Sequence, residues 1–243
     1  MPEFLFALTL SALPVISNFI GAMIAEALPL SKQTLGLALH AAAGVLLAIA
    51  STELIPKVVI AKPVWTTILS LFLGGAFFVW VNQLLKLSKN RLRGIDRSTV
   101  SWVIFLSIAI DLFGDGLMIG TGITIAPHLG VVVASSRVVA HIPEGFVTNA
   151  GFKSQNLPRR ERFLLLAAFI IPVWLGAMLG YWGLRGQEEL PKLIVLAFTT
   201  GALMVAIAEE IIPEAHQTQD SNWSMLVFIG SFALSMMFSA YLE

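Results

Sequence analysis

Two apolar stretches of the sequence carry ionisable side chains at short spacings. DLFGDG begins at Asp111 and places Asp115 four positions later, and HIPEG begins at His141 and places Glu144 three positions later. On a helix, each spacing puts both side chains on one face. Carboxylate oxygens and an imidazole form a common set of ligands for zinc, iron or manganese. We therefore predict that these four residues form a divalent-cation site.

The composition of the 243-residue chain places these groups in a membrane. The chain is 57% hydrophobic and 12% charged, with a mean hydropathy of +0.84, whereas soluble domains carry about 25% charged residues. The absence of cysteine excludes disulfides and thiolate metal sites. Formal net charge is zero, and no nucleic-acid partner is expected. At about 20 apolar residues per span, the chain has room for eight spans in a single transmembrane domain.

Apolar stretches bounded by polar, proline or glycine residues predict these spans. They lie near residues 4–27, 35–57, 64–86, 99–124, 128–151, 163–184, 191–213 and 223–242. The first stretch lacks the basic head and cleavage site of a signal peptide, so we assign it as span one. Barrel strands would be shorter and would alternate polar with apolar residues. The predicted fold class is therefore an all-α membrane protein with eight transmembrane helices.

Basic residues are concentrated in two predicted loops. Residues 86–97 hold five basic residues against one acid, and residues 153–162 hold four against one. With Lys32, ten basic residues lie on the side of these loops and four on the other, while Arg137 falls inside the fifth span. The positive-inside rule makes the basic loops cytoplasmic. We expect both termini to face outward, with the cell (inner) membrane as the location.

Two internal matches indicate inverted repeats. An offset of 157 positions aligns GVLLAIASTELIPK with GALMVAIAEEIIPE and pairs Glu53 with Glu210, and an offset of 29 pairs Asp115 with Glu144. The matched spans run in opposite directions under the predicted topology. Inverted repeats place a substrate site near the bilayer midplane. We predict that spans 1–3 and 6–8 form such repeats around the pair of spans four and five.

The midplane position makes the ionisable groups costly without a counter-charge. A carboxylate at that depth costs about 2.5–3.5 kcal/mol on insertion scales, and neighbouring carboxylates repel one another unless a cation neutralises them. Gly114, Gly116, Gly120 and Gly122 on span four allow close helix approach, and Pro143 frees a backbone carbonyl about one turn earlier. These features favour an ion site, although a single intramembrane acid can instead serve only to bond a neighbouring helix.

Further acids lie near the ends of two spans. Glu53 is near the outer end of span two, and Glu209 and Glu210 are near the cytoplasmic end of span seven. We interpret these three as additional metal-binding residues at the entrance and exit of a cation path. The alternative is that they are solvated helix-end groups, which we favour for Glu214 and His216. His40 and His128, which have no carboxylate at helical spacing, are interpreted as interfacial.

Three segments resemble the ZIP (Zrt/Irt-like protein) family of divalent metal transporters. They are HIPEG at 141–145, DG followed by LMIG at 115–120, and EEIIPEAH at 209–216, which is similar to the family's HE-x-IPE-x-H run. With eight spans, outward termini and a basic loop after span three, the similarity covers essentially the whole chain.

The resemblance implies transport of zinc, manganese, iron or a similar ion such as cadmium toward the cytoplasm. It also implies a metal site between spans four and five, an exit site on span seven, and an elevator-like movement of spans one, four, five and six. A homodimer is a further expectation, because dimers are frequent in the family. Neither enzymatic activity nor a cofactor is expected, since the divalent metal is the bound substrate.

The chain departs from the family pattern at several ligand positions. The family's span four carries H-N-x-P-E-G or H-N-x-x-D-G, and here Asp111, Leu112 and Gly114 stand in place of its histidine, asparagine and proline. Ala140 and Ile171 stand at positions where the family has ligands on spans five and six. These changes favour one bound metal over two. Exchanging imidazole and amide for carboxylate shifts the preference from zinc toward manganese or ferrous iron.

Two other functions fit parts of this pattern. A transport-dead relative would act as a metal sensor or structural partner, binding metal without moving it. An intramembrane protease is the second alternative, because Gly114 and Asp115 match half of the GxGD motif. Leu112 stands where that motif needs glycine, however, and the chain has neither a Tyr-Asp pair nor an HExxH sequence.

Overall fold

The computed structural model of the protein describes residues 2–28, 31–91, 97–217 and 223–242, which are almost entirely helical and contain no strand. Residues 92–96 of the basic loop lie outside the described residues. In chain order the helices are α1 (Pro2–Ala27), α2 (Lys32–Ile49), α3 (Ile55–Ile60), α4 (Val64–Arg91), α5 (Arg97–Ile125), α6 (Pro127–Ser154), α7 (Arg159–Ala168), α8 (Ile170–Leu184), α9 (Glu189–Ala206), α10 (Ile212–Gln217) and α11 (Ser224–Leu242).

Six helical stretches are long and apolar enough to cross a membrane. They are Glu3–Ala27, Lys32–Ile60, Val64–Leu87, Ile104–Ile125, Arg159–Leu184 and Glu189–His216. The protein is therefore an all-α, multi-pass membrane protein. Of the other two predicted spans, α6 is less apolar because Arg137, His141 and Glu144 lie in its interior, and α11 offers a shorter apolar stretch, Ser224–Ala240.

The helices associate in four close pairs. α1 packs on α6, α5 on α8, α2 on α11, and α4 on α9, while contacts of α6 with α5 and α2 join the pairs. Because short connections link long helices, consecutive spans run antiparallel. The end of the bundle where α1, α4 and α6 finish is called the basic end below, since the two basic segments lie there.

Glycine brings α5 and α8 into backbone contact. A Cβ atom at Gly116 would lie 2.0 Å from the Val173 carbonyl oxygen, and one at Gly176 would lie 2.1 Å from the Phe113 carbonyl oxygen. Any larger side chain would have to push the helices apart. The α5 backbone that carries the aspartates is therefore fixed against α8.

This contact gives a prediction for stability. Gly176→Ala should lower the stability of the fold by about 1–3 kcal/mol, because the added methyl group overpacks the interface. Gly183→Ala on the same helix is the matched control, since a Cβ there meets nothing within 4 Å, and alanine should stabilise the helix by up to about 1 kcal/mol. Thermal unfolding in detergent measures both. Equal melting temperatures for the two variants would contradict the packing described.

The pair formed by α1 and α6 repeats the contacts of α5 and α8. A Cβ at Gly145 would lie 1.9 Å from the Asn18 carbonyl oxygen, and one at Gly21 would lie 1.9 Å from the Ile142 carbonyl oxygen. The contact residues of α6, Ile142 and Gly145, lie 29 positions after those of α5, Phe113 and Gly116. The contact residues of α8, Val173 and Gly176, lie 155 positions after those of α1, Asn18 and Gly21. The two helix pairs around the candidate site are thus built alike.

Two π-helical turns interrupt the spans that contain α2 and α9. They are Ala50–Leu54 and Ile207–Ile211, which are 157 positions apart, the same offset as the match between these segments in the sequence. Glu53 lies in the first turn and Glu210 in the second. A π turn adds one residue to a helical turn, and such turns are frequent at functional sites. The acids near the span ends are therefore carried by irregular backbone in both halves.

Candidate metal centre

The ionisable residues of α5 and α6 come together where these helices pack. On α5, Asp111 and Asp115 are one helical turn apart. On α6, Arg137, His141 and Glu144 follow at intervals of four and three and share one face. Both helices are held by their glycine contacts to α8 and α1, so the five side chains project from rigid supports.

Three of these residues form a group that could hold one metal ion. One ligand atom each from Asp111, His141 and Glu144 lies within 4.8 Å of the others, and these three are called the metal triad below. Around a transition metal with bonds of about 2.0–2.2 Å, neighbouring ligand atoms lie about 3.0–3.4 Å apart. Ligand atoms at this limit would have to approach by about 1.5 Å to complete a site of two carboxylates and one imidazole.

Asp115 lies outside the metal triad and contacts a resident cation instead. Its Oδ1 is 2.5 Å from Nη2 of Arg137, and its Oδ2 is 2.5 Å from Nε2 of His141. All three side chains are buried. Arg137 therefore supplies to Asp115 the counter-charge that the sequence analysis assigned to a bound metal.

His141 lies between two carboxylates. Its Nε2 contacts Asp115, and its Nδ1 contacts Oε2 of Glu144. The Asp115 side chain is fully buried, whereas the Glu144 side chain is 32% exposed. A metal ion that binds His141 must replace one of these contacts, and the replacement is easier on the accessible side, beside Glu144.

Two cavities flank the group. The first, of about 410 Å³, lies between α4, α5 and α9, and its ionisable lining residues are Asp111, Asp115 and Arg137. The rest of its wall is almost wholly apolar, with Phe77 and Phe198 from the outer helices. That wall offers a charged ligand only the hydroxyl group of Thr199 among the lining side chains.

The second cavity, of about 530 Å³, opens toward the basic end and is acidic. Four carboxylates line it, those of Glu144, Glu209, Glu210 and Glu214, with Lys86 as the one basic residue of the lining. The metal triad therefore borders this cavity through Glu144. We call it the acidic cavity.

Two of the outlying acids predicted from the sequence are part of the acidic cavity. Glu210 accepts a hydrogen bond of 2.7 Å from Nδ2 of Asn82, which holds its carboxylate against α4. Glu209 is 3.9 Å from Nζ of Lys86, and both side chains are more than half exposed. Such a surface pair contributes at most about 1 kcal/mol, so Glu209 is free to reorient.

Glu53 lies apart from the metal triad and is buried. Its side chain accepts a hydrogen bond from Ser239 of α11, and its Oε2 has no hydrogen-bond partner among the described residues. This bond corresponds to the Asn82–Glu210 bond under the offset of 157 positions. The offset relates position 82 to position 239, and position 53 to position 210. Glu53 is therefore no solvated helix-end group, whereas its predicted role at the entrance stays a prediction.

The role of Arg137 was not predicted from the sequence. Arg137 was placed inside a span without a partner, although an arginine at that depth signals a buried counter-ion. The spacing of four positions before His141 was a further signal, because it puts Arg137 on the face that carries the other ligands. Its pairing with Asp115, rather than Asp111, depends on the relative positions of α5 and α6, which spacing alone does not give.

A second ion pair, between a buried arginine and a half-buried glutamate, fastens the basic end of α6. Glu26 of α1 contacts Nη2 of Arg162 at 2.6 Å and accepts a hydrogen bond of 3.1 Å from Asn149 of α6. From the sequence, Arg162 is only one of the basic residues of the predicted loop at 153–162. The three side chains connect α1, α6 and α7 near the basic end.

The chain matches no known protein family and no curated protein.

Proposed function

We propose that the protein carries divalent transition-metal cations across a membrane by way of the metal triad. The observation that carries the proposal is that Asp111, His141 and Glu144 converge within 4.8 Å in the interior of the packed spans. Glu144 also borders the acidic cavity. A site that opens onto a cavity lined by carboxylates offers a cation further oxygen ligands beyond the metal triad.

The ligand set favours hard and borderline metals. Two carboxylates and one imidazole suit manganese and ferrous iron, and zinc or cadmium would also bind. Because Arg137 occupies one side of Asp115, we propose one metal ion per site. Asp115 then acts by orienting His141, as carboxylates commonly do for metal-binding imidazoles.

The proposed topology has eight spans, with α6 and α11 completing the six apolar stretches. The repeated glycine contacts and the paired π turns support an inverted-repeat arrangement, which transporters use to build a midplane site. The basic loops make the basic end cytoplasmic in the cell membrane. The acidic cavity is then the exit toward the cytoplasm, and the resemblance to the ZIP family supports the same direction and a homodimer.

The packing also supports an elevator-type movement. Close glycine contacts bind α1 to α6, α5 to α8, α2 to α11 and α4 to α9, but among the described glycines none joins α5 to α4 or α9. Between those helices lies the 410 Å³ cavity with its apolar walls. We propose that α1 and α5–α8 move together along this boundary and carry the metal triad with them.

Metal uptake into vesicles tests the proposed function. The purified chain is reconstituted in liposomes that contain a metal-sensitive dye, and Mn²⁺, Zn²⁺ or Cd²⁺ is added outside. We expect uptake above that of protein-free liposomes. Tight binding in detergent with no uptake of any of the three ions would instead make the protein a metal sensor.

The acidic cavity gives a separate prediction about the rate. Glu210→Gln should slow uptake about fivefold, the rate equivalent of the roughly 1 kcal/mol that a unit charge contributes at ~4 Å in water. Glutamine can still accept the Asn82 hydrogen bond, so the fold should persist. Affinity at the metal triad should stay unchanged in binding measurements. Glu161→Gln, which removes an exposed carboxylate at the same end, is the control and should transport at the wild-type rate.

A further inference from the structure

A second set of metal-ligating side chains lies away from the metal triad, near the basic end. His40 of α2 and His216 of α10 have ring centroids 5.0 Å apart and planes inclined at 61°. The sequence predicts an interfacial position for His40, and its side chain is 2% exposed, so the ring lies within the protein. His216 is exposed, so the pair joins the buried interior to solvent.

Both rings are oriented in the same way by their own helices. Nδ1 of His40 is 2.8 Å from the Gly36 carbonyl oxygen, and Nδ1 of His216 is 2.8 Å from the Ile212 carbonyl oxygen. A carbonyl oxygen only accepts, so each Nδ1 carries the hydrogen. The Nε2 atom of each neutral ring is then the lone-pair nitrogen. This is the arrangement that metal-binding histidines use, with one nitrogen held by a carbonyl and the other on the metal.

The buried Nε2 of His40 has no hydrogen-bond partner within the part of the chain that the structure describes. A buried polar atom of this kind is normally satisfied, since an unsatisfied one is destabilising. A cation bound between the rings would satisfy it. The unpaired nitrogen is therefore an independent sign of a ligand, in addition to the proximity of the rings.

The separation of the rings agrees with a shared metal ion. With a metal–nitrogen bond of about 2.0–2.1 Å and tetrahedral geometry, two ligating imidazoles have centroids about 5.2 Å apart. The observed separation of the ring centroids, 5.0 Å, is close to this value. Because His216 is exposed, water can fill the remaining ligand positions.

We propose that His40 and His216 form a second cation site, which binds metals that prefer nitrogen ligands, such as Zn²⁺, Ni²⁺ and Cu²⁺. The site joins α2 to α10, which pack together. It differs from the metal triad in ligand chemistry, because it contains two imidazoles and no carboxylate. It goes beyond the proposed transport function and does not depend on it.

The test uses the full chain in detergent with the metal triad removed by Asp111→Asn and Glu144→Gln. Titration with Ni²⁺ should give one bound equivalent, and Cu²⁺ bound there should show couplings to two imidazole nitrogens in electron paramagnetic resonance. Adding His40→Gln or His216→Gln should abolish both results. Adding His128→Gln, the matched histidine control, should change neither. The proposal would be overturned if the variant without the metal triad bound no Ni²⁺. It would also be overturned if Ni²⁺ binding survived the loss of both histidines.

A second measurement tests the site in a protein that keeps the metal triad. In the otherwise wild-type chain, Zn²⁺ at about ten times its dissociation constant should slow carbethoxylation of His216 about tenfold, following the fraction of free sites. In the His40→Gln variant the protection should disappear. Protection of equal size in that variant would show that His216 binds metal without His40 and would overturn the two-histidine site.

Discussion

Replacing two ligands of the metal triad, Asp111→Asn with Glu144→Gln, is expected to abolish metal uptake and to weaken binding at the midplane by more than about 100-fold. Loss of a residue that only orients a ligand already costs 10–100-fold in affinity. The double variant removes both anionic ligands and leaves His141 alone. A wild-type site filled at about 100 times its dissociation constant adds about 2.7 kcal/mol of stability. The variant should lose the part of the Mn²⁺-dependent melting shift that this site provides.

The metal-free double variant should still fold. Both replacements keep the shape of the side chain. They also remove two negative charges that repel each other when no metal ion is bound. A matched control, Glu161→Gln with Glu189→Gln, removes two exposed carboxylates outside the centre and should keep uptake and the melting shift. Wild-type uptake by the triad variant would contradict the proposed function.

Arg137→Met should produce the largest loss of stability of any single replacement proposed. Removing one partner of a buried ion pair typically costs 3–5 kcal/mol, because the other charge stays buried and uncompensated. The side chains of Arg137 and Asp115 are 6% and 0% exposed, so little solvent can replace the lost contact. The measurement is the unfolding temperature in detergent.

A double variant distinguishes this effect from a loss of packing. Asp115→Asn combined with Arg137→Met removes both charges, and it should recover most of the stability lost by Arg137→Met alone. Arg160→Met, an exposed arginine on α7, serves as the control and should unfold close to the wild type. If the double variant were as unstable as Arg137→Met, the ion pair would not be the cause.

Mn²⁺ should stabilise Arg137→Met more than it stabilises the wild type. Without the guanidinium, Asp115 is an additional carboxylate beside His141, and an added cation can supply the missing charge. The comparison is the Mn²⁺-dependent melting shift of the two proteins at one concentration. An equal or smaller shift in the variant would show that Asp115 gains no access to metal.

The sequence was sufficient to predict the helical membrane class, because only helices and closed barrels span lipid and the long, non-alternating apolar stretches do not fit barrel strands. It also related Asp111 to Asp115 and His141 to Glu144, because helical spacing puts each pair on one face. These predictions depend on local periodicity. They need no knowledge of how distant helices cross.

The pairing of particular side chains across helices was beyond the sequence. Whether Arg137 meets Asp115 or Asp111 depends on the axial offset between α5 and α6, and one helical turn corresponds to about 5.4 Å. His40 and His216 are far apart in the chain, and their contact requires α10 to pack on α2. The partners of Glu53 and Glu210, Ser239 and Asn82, have ordinary side chains with no ligand signature of their own.

The central claim is that one metal ion binds where α5 and α6 meet. Anomalous diffraction from crystals soaked in Mn²⁺ or Cd²⁺ tests it most directly, because it locates each ion without an assumption about activity. We expect a single midplane peak in contact with Asp111, His141 and Glu144, and no ion between Arg137 and Asp115. Ions bound at other sites while the metal triad stays empty at saturating metal would contradict the account.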